Sequence, residues 1–182
     1  MNAEPKTTKF GDWIVPVLRR DWVSAEQQPY RMTYQLTPGQ LWGDAQTTEK
    51  QSESYALLPD GVAVPVGALI ARELIASGAS SAVFTELWAG KCICVGPDLI
   101  CVPGEGPVHE LLCELRAANN GLYGGLPDVI GLYRDGRVAM REAKNLAKKD
   151  RLGPKQHRFA SAAQRLLGAR LDLAVIEWGL IK

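Results

Sequence analysis

No apolar run in this sequence reaches the roughly 18 to 20 residues needed to cross a bilayer. The nearest candidate, Gly61 to Ile75, is broken by Pro65, Arg72 and Glu73. The opening residues, MNAEPKTTKF, lack the apolar centre of a secretory signal. A cytoplasmic protein without membrane contact is therefore expected. Paired cysteine knuckles are also missing: Cys92, Cys94, Cys101 and Cys113 do not form two Cys-x2-4-Cys pairs, and neither His109 nor His157 completes one. Structural zinc and thiol chemistry are set aside on that ground, and the thiols are read as reduced. There is no internal repeat and no low-complexity tract. Net charge is nearly absent, at +1. What remains is ordinary globular composition, 46% hydrophobic and 23% charged, which fits a packed domain and not a disordered chain. At 182 residues the chain can bury one sizeable core.

The small net charge hides an uneven distribution. Between Arg134 and Arg170 stand eleven Lys or Arg residues against three acidic ones. A charge run is most often a solvated face. This one surrounds a set of carboxylates, and Lys and Arg neutralise phosphates and displace their counterions, so a polyanionic partner is plausible.

Residues 1–62 read as an N-terminal extension of unknown role and 63–182 as the folded domain. Within the extension, residues 37–62 read as loops or short strands, and Trp13 to Val23 fits either a helix or two short strands. Trp13, Trp22, Tyr30, Tyr34 and Trp42 suit a core better than a base-stacking surface. From Pro65, helical spacing of Leu69, Ile70, Leu74 and Ile75 predicts a helix that Gly78 ends. Ala82 to Trp88 and Cys92 to Val102 read as strands, the latter turning at Gly96-Pro97-Asp98. A second helix starts at Pro107 and stops at Asn119-Asn120-Gly121. Val129 to Tyr133 and Arg137 to Lys144 read as a hairpin around Asp135-Gly136. A helix from Pro154 to Leu167 and a strand from Leu171 to Trp178 follow. The order implies an α/β fold, a mixed sheet covered by helices.

Strand alternation puts Val138, Met140, Glu142 and Lys144 on one face. Asp128 precedes the neighbouring strand, so two carboxylates and an ammonium can converge. Such a set suits a hard cation, Mg2+ or Mn2+, with the Ala143 carbonyl as an additional ligand. The cation would activate water and shield phosphate charge, and Lys144 could orient that water or stabilise the transition state. The plainer alternative makes Asp128 a turn residue and Glu142 with Lys144 a surface pair worth under about 1 kcal/mol. Gln156 shares a helical stripe with Phe159, Ala160, Ala163 and Leu167, so its amide faces the sheet and needs a partner there. Lys148, Lys149, Arg151 and Lys155 form a cationic loop beside these residues, suited to binding a DNA backbone.

Gly125-Leu126-Pro127-Asp128-Val129-Ile130, Arg141-Glu142-Ala143-Lys144 and Asp150-Arg151-Leu152-Gly153-Pro154-Lys155-Gln156 together resemble the virus-type replication-repair nuclease module, VRR-NUC, of the PD-(D/E)xK superfamily. The match covers about Gly104 to Trp178 and is most similar to the C-terminal module of the Fanconi-associated nuclease. The resemblance implies a restriction-endonuclease-like core in which Asp128 and Glu142 bind metal, Lys144 is catalytic and Gln156 belongs to the site. It further implies a structure-selective DNA nuclease acting on flapped, branched or junction DNA in repair or replication. Where the family usually has a small apolar residue and then Glu-Val-Lys-Gly-Pro, this chain has Arg141 ahead of Glu142 and Asn145 after Lys144. The family also uses a glutamate on an upstream helix. Glu73, Glu105, Glu110 and Glu114 are the candidates, and Glu73 is preferred because helix-then-strand order surrounds it.

Two other functions share these residues: a nuclease-fold module that binds DNA or protein without cutting, and a restriction-type endonuclease that reads base edges. Oligomeric state stays open, a homodimer being best suited to cutting both strands of a symmetric junction.

Overall fold

The structure, a computed structural model, describes residues 5–24, 31–36, 46–51, 55–57, 63–88, 91–95 and 107–181. A hairpin of β1 (Thr7–Phe10) and β2 (Trp13–Val23) comes first. Two small antiparallel pairs follow, β3 (Arg31–Leu36) with β4 (Gln46–Gln51) and β5 (Tyr55–Leu57) with β6 (Ala63–Pro65). The remaining elements are α1 (Val66–Ala76), β7 (Ser81–Trp88), β8 (Lys91–Val95), α2 (Pro107–Ala118), β9 (Val129–Leu132), β10 (Val138–Asn145), α3 (Pro154–Leu167) and β11 (Leu171–Ile181). Among the described residues, seven strands form one mixed sheet in the order β1-β2-β11-β10-β9-β7-β8. β11 runs parallel to both of its neighbours, β10 and β2, while the other pairs are antiparallel. α3 is the crossover that a parallel β10–β11 pair requires. No helix among the described residues is long and apolar enough to cross a membrane.

Helices cover both faces of the sheet. Val138 and Met140 join Leu112, Leu115, Phe159 and Ala163 in a core between the sheet and α2 with α3, whereas Ala139 faces the opposite core with Leu69, Ile70 and Leu74 of α1. A strand buried on both faces reads as a nearly continuous apolar run, and β10 does so until Arg141. α3 keeps its expected bounds because Pro154 suits the first helical turn and Gly168 follows the last.

The sheet extends further toward the N-terminus than expected. Trp13 to Val23 is one strand, not a helix or two strands, and it pairs with β11 from Val17–Val175 to Val23–Ile181. Residue 62 is therefore not a boundary of the sheet. The β1–β2 turn is fastened to α3 as well. Gly11 has φ +66, and a Cβ there would lie 2.7 Å from the Ser161 nitrogen, so only glycine permits both the conformation and the approach. Gln164, almost fully buried, accepts the Asp12 N–H at 2.7 Å and donates to the Phe10 carbonyl at 2.6 Å. The Gly11 N–H donates to Nδ1 of His157 at 3.2 Å.

Of the aromatic residues singled out above, Trp22 leans on Trp178 with ring centres 6.4 Å apart, and Trp13 is partly exposed. Tyr30, Trp42 and the turn at Gly96–Asp98 lie outside the described residues, as does the side chain of Tyr34.

Candidate functional site

The β9–β10 register runs from Leu132–Val138 to Val129–Arg141, so Asp128 stands just beyond the last pair, beside Glu142 and Ala143. Its backbone is held from the other side by Thr85. That residue's N–H donates to the Asp128 carbonyl at 2.6 Å, and its buried hydroxyl donates to the Pro127 carbonyl. The carboxylate accepts the Ala143 N–H at 2.7 Å. N–H and C=O of one strand residue point to the same edge, so the Ala143 carbonyl also faces the edge where Asp128 sits.

Glu142 is 2% exposed and Lys144 6%. They emerge on the α3 face, as strand alternation requires, after Val138 and Met140 have anchored the strand in the core. Lys144 Nζ lies 2.9 Å from Glu142 Oε1, 3.3 Å from Gln156 Oε1 and 3.6 Å from Asp150 Oδ2. Gln156 is the third residue of α3, and its amide is fully oriented. Oε1 accepts the Gly153 N–H at 2.7 Å as well as Lys144, and Nε2 donates to Glu142 Oε1. The loop before Asp128 reaches α3 through Gly125. This residue has φ +92, and a Cβ would fall 2.1 Å from the Lys155 carbonyl oxygen, so no other residue allows the loop and helix to meet there.

These contacts leave one group unanswered: Glu142 Oε2 is buried without a hydrogen-bond partner. A buried carboxylate oxygen without a donor is costly, and the charges around it register that cost. Burial first, then the negative charge of Asp128, push the Glu142 pKa well above the carboxylate range, against the pull of Lys144. Burial likewise raises Asp128 to about 6, although the Ala143 N–H and Lys144 draw it down. Burial pulls Lys144 down, but Glu142, by charge and hydrogen bond, and then Asp150 and Asp128 outweigh it and leave the ammonium more basic than usual. Both carboxyl groups are thus held above their ordinary range by burial and, for Glu142, by the other's negative charge, a repulsion that a cation between them would relieve.

The donors fit a hard divalent cation: two carboxylates and a main-chain carbonyl, all oxygen, with room for water and phosphate to complete the shell. No three of His, Cys, Asp and Glu converge among the described residues. A hard cation of the magnesium type takes one or two carboxylates and fills the rest from water and substrate.

Among the described residues, no upstream glutamate joins Asp128 and Glu142. Glu73 belongs to α1 on the opposite face, and its carboxylate accepts from Nε of Arg20 at 3.0 and 3.1 Å. The preference for Glu73 as a metal ligand is corrected accordingly. Glu110 and Glu114 line a cavity of about 440 Å3 that also touches Gly136 and Arg137 of the β9–β10 turn, at the far end of these strands from Asp128. Glu105 lies outside the described residues.

Both departures from the family pattern have local explanations. Arg141 points to the face opposite Glu142 and binds the Asp172 carboxylate and carbonyl, each at 2.6 Å. Asn145 Oδ1 accepts the N–H groups of Ala147 and Lys148, shaping the turn that follows β10. Lys148, Lys149, Arg151 and Lys155 are all exposed around the mouth of the site. Sequence reasoning missed Thr85, whose signal was a polar side chain on the face shared with Val83, and gave no role to Asp150. Compared with protein-family models and with curated proteins, the chain matches none, and the reading of its site rests on the residues themselves.

Proposed function

We propose that this chain is a metal-dependent DNA nuclease with a PD-(D/E)xK core of the VRR-NUC type, acting on flapped, branched or junction DNA. The observation that carries this reading is the meeting of Asp128, Glu142, Lys144 and Gln156, from β10, α3 and the approach to β9, around one unsatisfied carboxylate oxygen. An ordinary surface ion pair is exposed and contributes little. This cluster is buried and holds two carboxylates together at electrostatic cost, an arrangement typical of functional sites.

Asp128, Glu142 and the Ala143 carbonyl would hold Mg2+ or Mn2+. When bound, the cation supplies Lewis-acid polarisation of the phosphate and a more acidic water. Lys144 keeps its ammonium at the mouth of the site, where it can donate to a non-bridging phosphate oxygen or to the attacking water and offset charge that builds in the transition state. Gln156 fixes the Glu142 carboxylate with one end of its amide and Lys144 with the other. The exposed cations of the loop after β10 suit the flanking backbone.

The test is cleavage of labelled flap, splayed-arm, junction and plain duplex DNA with Mg2+ or Mn2+. Metal-dependent cutting by the wild type, abolished by Asp128→Ala and by Lys144→Ala, is the expected result, and the substrate panel then names the DNA structure preferred. Wild-type protein that binds DNA yet never cuts would replace this reading with that of a binding module.

A further inference from the structure

The chain approaches Asp128 through a braced loop, residues 119–125. Asn120 and Gly121 turn it with left-handed backbone, φ 56 and φ 76, and the Gly121 N–H closes the end of α2 on the Arg116 carbonyl at 2.8 Å. Asn119, 1% exposed, holds the loop from within, its Nδ2 donating to the Leu122 carbonyl at 2.7 Å. Gly125 seats the other end on α3, against the Lys155 carbonyl. Both ends and the middle are thus tied down, and the side chains that rest on the loop have a fixed support.

Three of those side chains are cations. Arg116 reaches the loop from α2, donating through Nε to the Gly121 carbonyl at 2.9 Å and laying its guanidinium over the Tyr123 ring, 5.1 Å from the ring centre. Arg158 reaches it from α3 and donates through Nε to Asn119 Oδ1 at 3.3 Å. A Cβ at Gly124 would lie 3.7 Å from both Arg158 Nη2 and Lys155 Cδ, so Lys155 borders the loop as well. All three are exposed, and among the described residues none is paired with a carboxylate. The oxygens that Arg116 and Arg158 do engage belong to neutral amides, so three full charges are gathered on one loop. A polyanion is the partner that such a patch attracts.

The form of the surface narrows the choice of polyanion. Sites for single strands rely on open aromatic platforms on which bases stack. Here the Tyr123 ring is half-buried and Arg116 lies over it. Asn120, Gly121 and Leu122 are exposed at the tip, so the loop presents an open face and not a cleft. Cations fixed on an open face suit the regular phosphate backbone of a duplex, which positions DNA without reading its bases.

We infer that the loop 119–125 is a contact surface for duplex DNA, on which Arg116, Lys155 and Arg158 engage backbone phosphates beside the proposed cleavage centre. The inference rests on the nuclease reading of that centre, which adjoins the loop because Gln156, next to Lys155, touches Glu142. It adds α2 to the elements that hold substrate, since neither Arg116 nor Arg158 belongs to the cationic loop after β10. In a branched substrate the duplex arm would lie here.

The experiment is salt-dependent binding of a short fluorescent DNA duplex in EDTA, where metal-dependent cutting cannot occur. Wild type is compared with Arg116→Gln, Arg158→Gln and Arg158→Lys, and with Arg137→Gln as a control from the β9–β10 turn. Loss of one phosphate contact on a duplex lowers the slope of log K against log salt by about 0.9, equivalent to about eightfold weaker binding at 0.1 M salt. That change is expected for Arg116→Gln and for Arg158→Gln, and none for Arg137→Gln. Arg158→Lys should keep the wild-type slope, because it retains the charge and loses only the planar guanidinium that braces Asn119. An unchanged slope in either Arg116→Gln or Arg158→Gln overturns the inference, as does a wild type that binds no duplex. Equal losses in Arg158→Lys and Arg158→Gln would assign the side chain to bracing the loop and overturn it too. A single strand that loses as much slope as the duplex replaces the duplex assignment with a single-strand one. Cleavage by a wild type whose variants keep its slope leaves the nuclease reading standing and removes only this surface. Slopes that fall as expected in a protein that never cuts do the reverse.

Discussion

Asp128→Asn should make the metal-free protein more stable at neutral pH while removing its function. The substitution keeps an oxygen to accept the Ala143 N–H, found at 2.7 Å, and deletes the charge. In the native protein burial raises the Asp128 pKa from 3.8 to about 6, whereas in the unfolded chain it returns to the ordinary value. An acid whose folded pKa is raised leaves stability intact below its unfolded pKa and erodes it as pH rises through the folded value. Roughly two pH units of difference correspond to about 3 kcal/mol. Removing the Asp128 charge also relieves Glu142, in the same direction. Melting curves of wild type and Asp128→Asn between pH 4 and 8.5 in EDTA should coincide near pH 4 and separate as pH rises, reaching a plateau above about pH 7. For a chain of this size 1 kcal/mol moves the midpoint by about 2 to 4 °C, so the plateau should be about 6 to 12 °C in favour of the variant. Magnesium should then raise the wild-type midpoint and leave the variant unchanged. A difference that does not vary with pH, or a variant less stable than wild type at pH 8, would refute the electrostatic account.

Further expectations concern the same cluster. Gln156→Ala should lower the cleavage rate about 10- to 100-fold, the usual cost of losing a residue that orients a metal ligand, with melting near that of wild type; single-turnover kinetics measure it. Gly125→Ala must accommodate a Cβ 2.1 Å from the Lys155 carbonyl oxygen at φ +92. A loss of about 3 kcal/mol in urea unfolding is expected from strain and overpacking together. Because the cation needs Asp128 ionised, the magnesium concentration for half-maximal activity should fall about tenfold per pH unit as pH rises toward 6 and level off above the Asp128 pKa. A pH-independent magnesium requirement would show that no proton leaves on binding.

The parts of this molecule that were legible in the sequence are those written locally. Pro154 and Gly168 punctuate α3, and alternation along β10 is enough to place Glu142 and Lys144 on the face of Val138 and Met140. The stripe containing Gln156 made it face the sheet, where it has found Glu142. What could not be read depends on residues far apart in the chain. β2 became a strand because β11 offers it a parallel edge about 160 residues later, and no local pattern records such a partner. Glu73 had the right neighbours for a metal-binding role, yet Arg20, on that distant hairpin, takes its carboxylate. Thr85 supports Asp128 from β7 through a contact spanning 42 positions.

The place of β11 between β2 and β10 also governs when the site can exist. Until residues 171–181 are available, the N-terminal hairpin has no edge to join and β10 carries an open edge of its own, exposed to pairing with other chains. The long loop that this last strand closes makes sheet completion a late and slow event. As the ribosome releases the chain, the N-terminal hairpin and the strand bearing Lys144 therefore stay apart until residues 171–181 have emerged. The sheet that carries Glu142 and Lys144 would then be completed in one step, when β11 takes its place between β2 and β10.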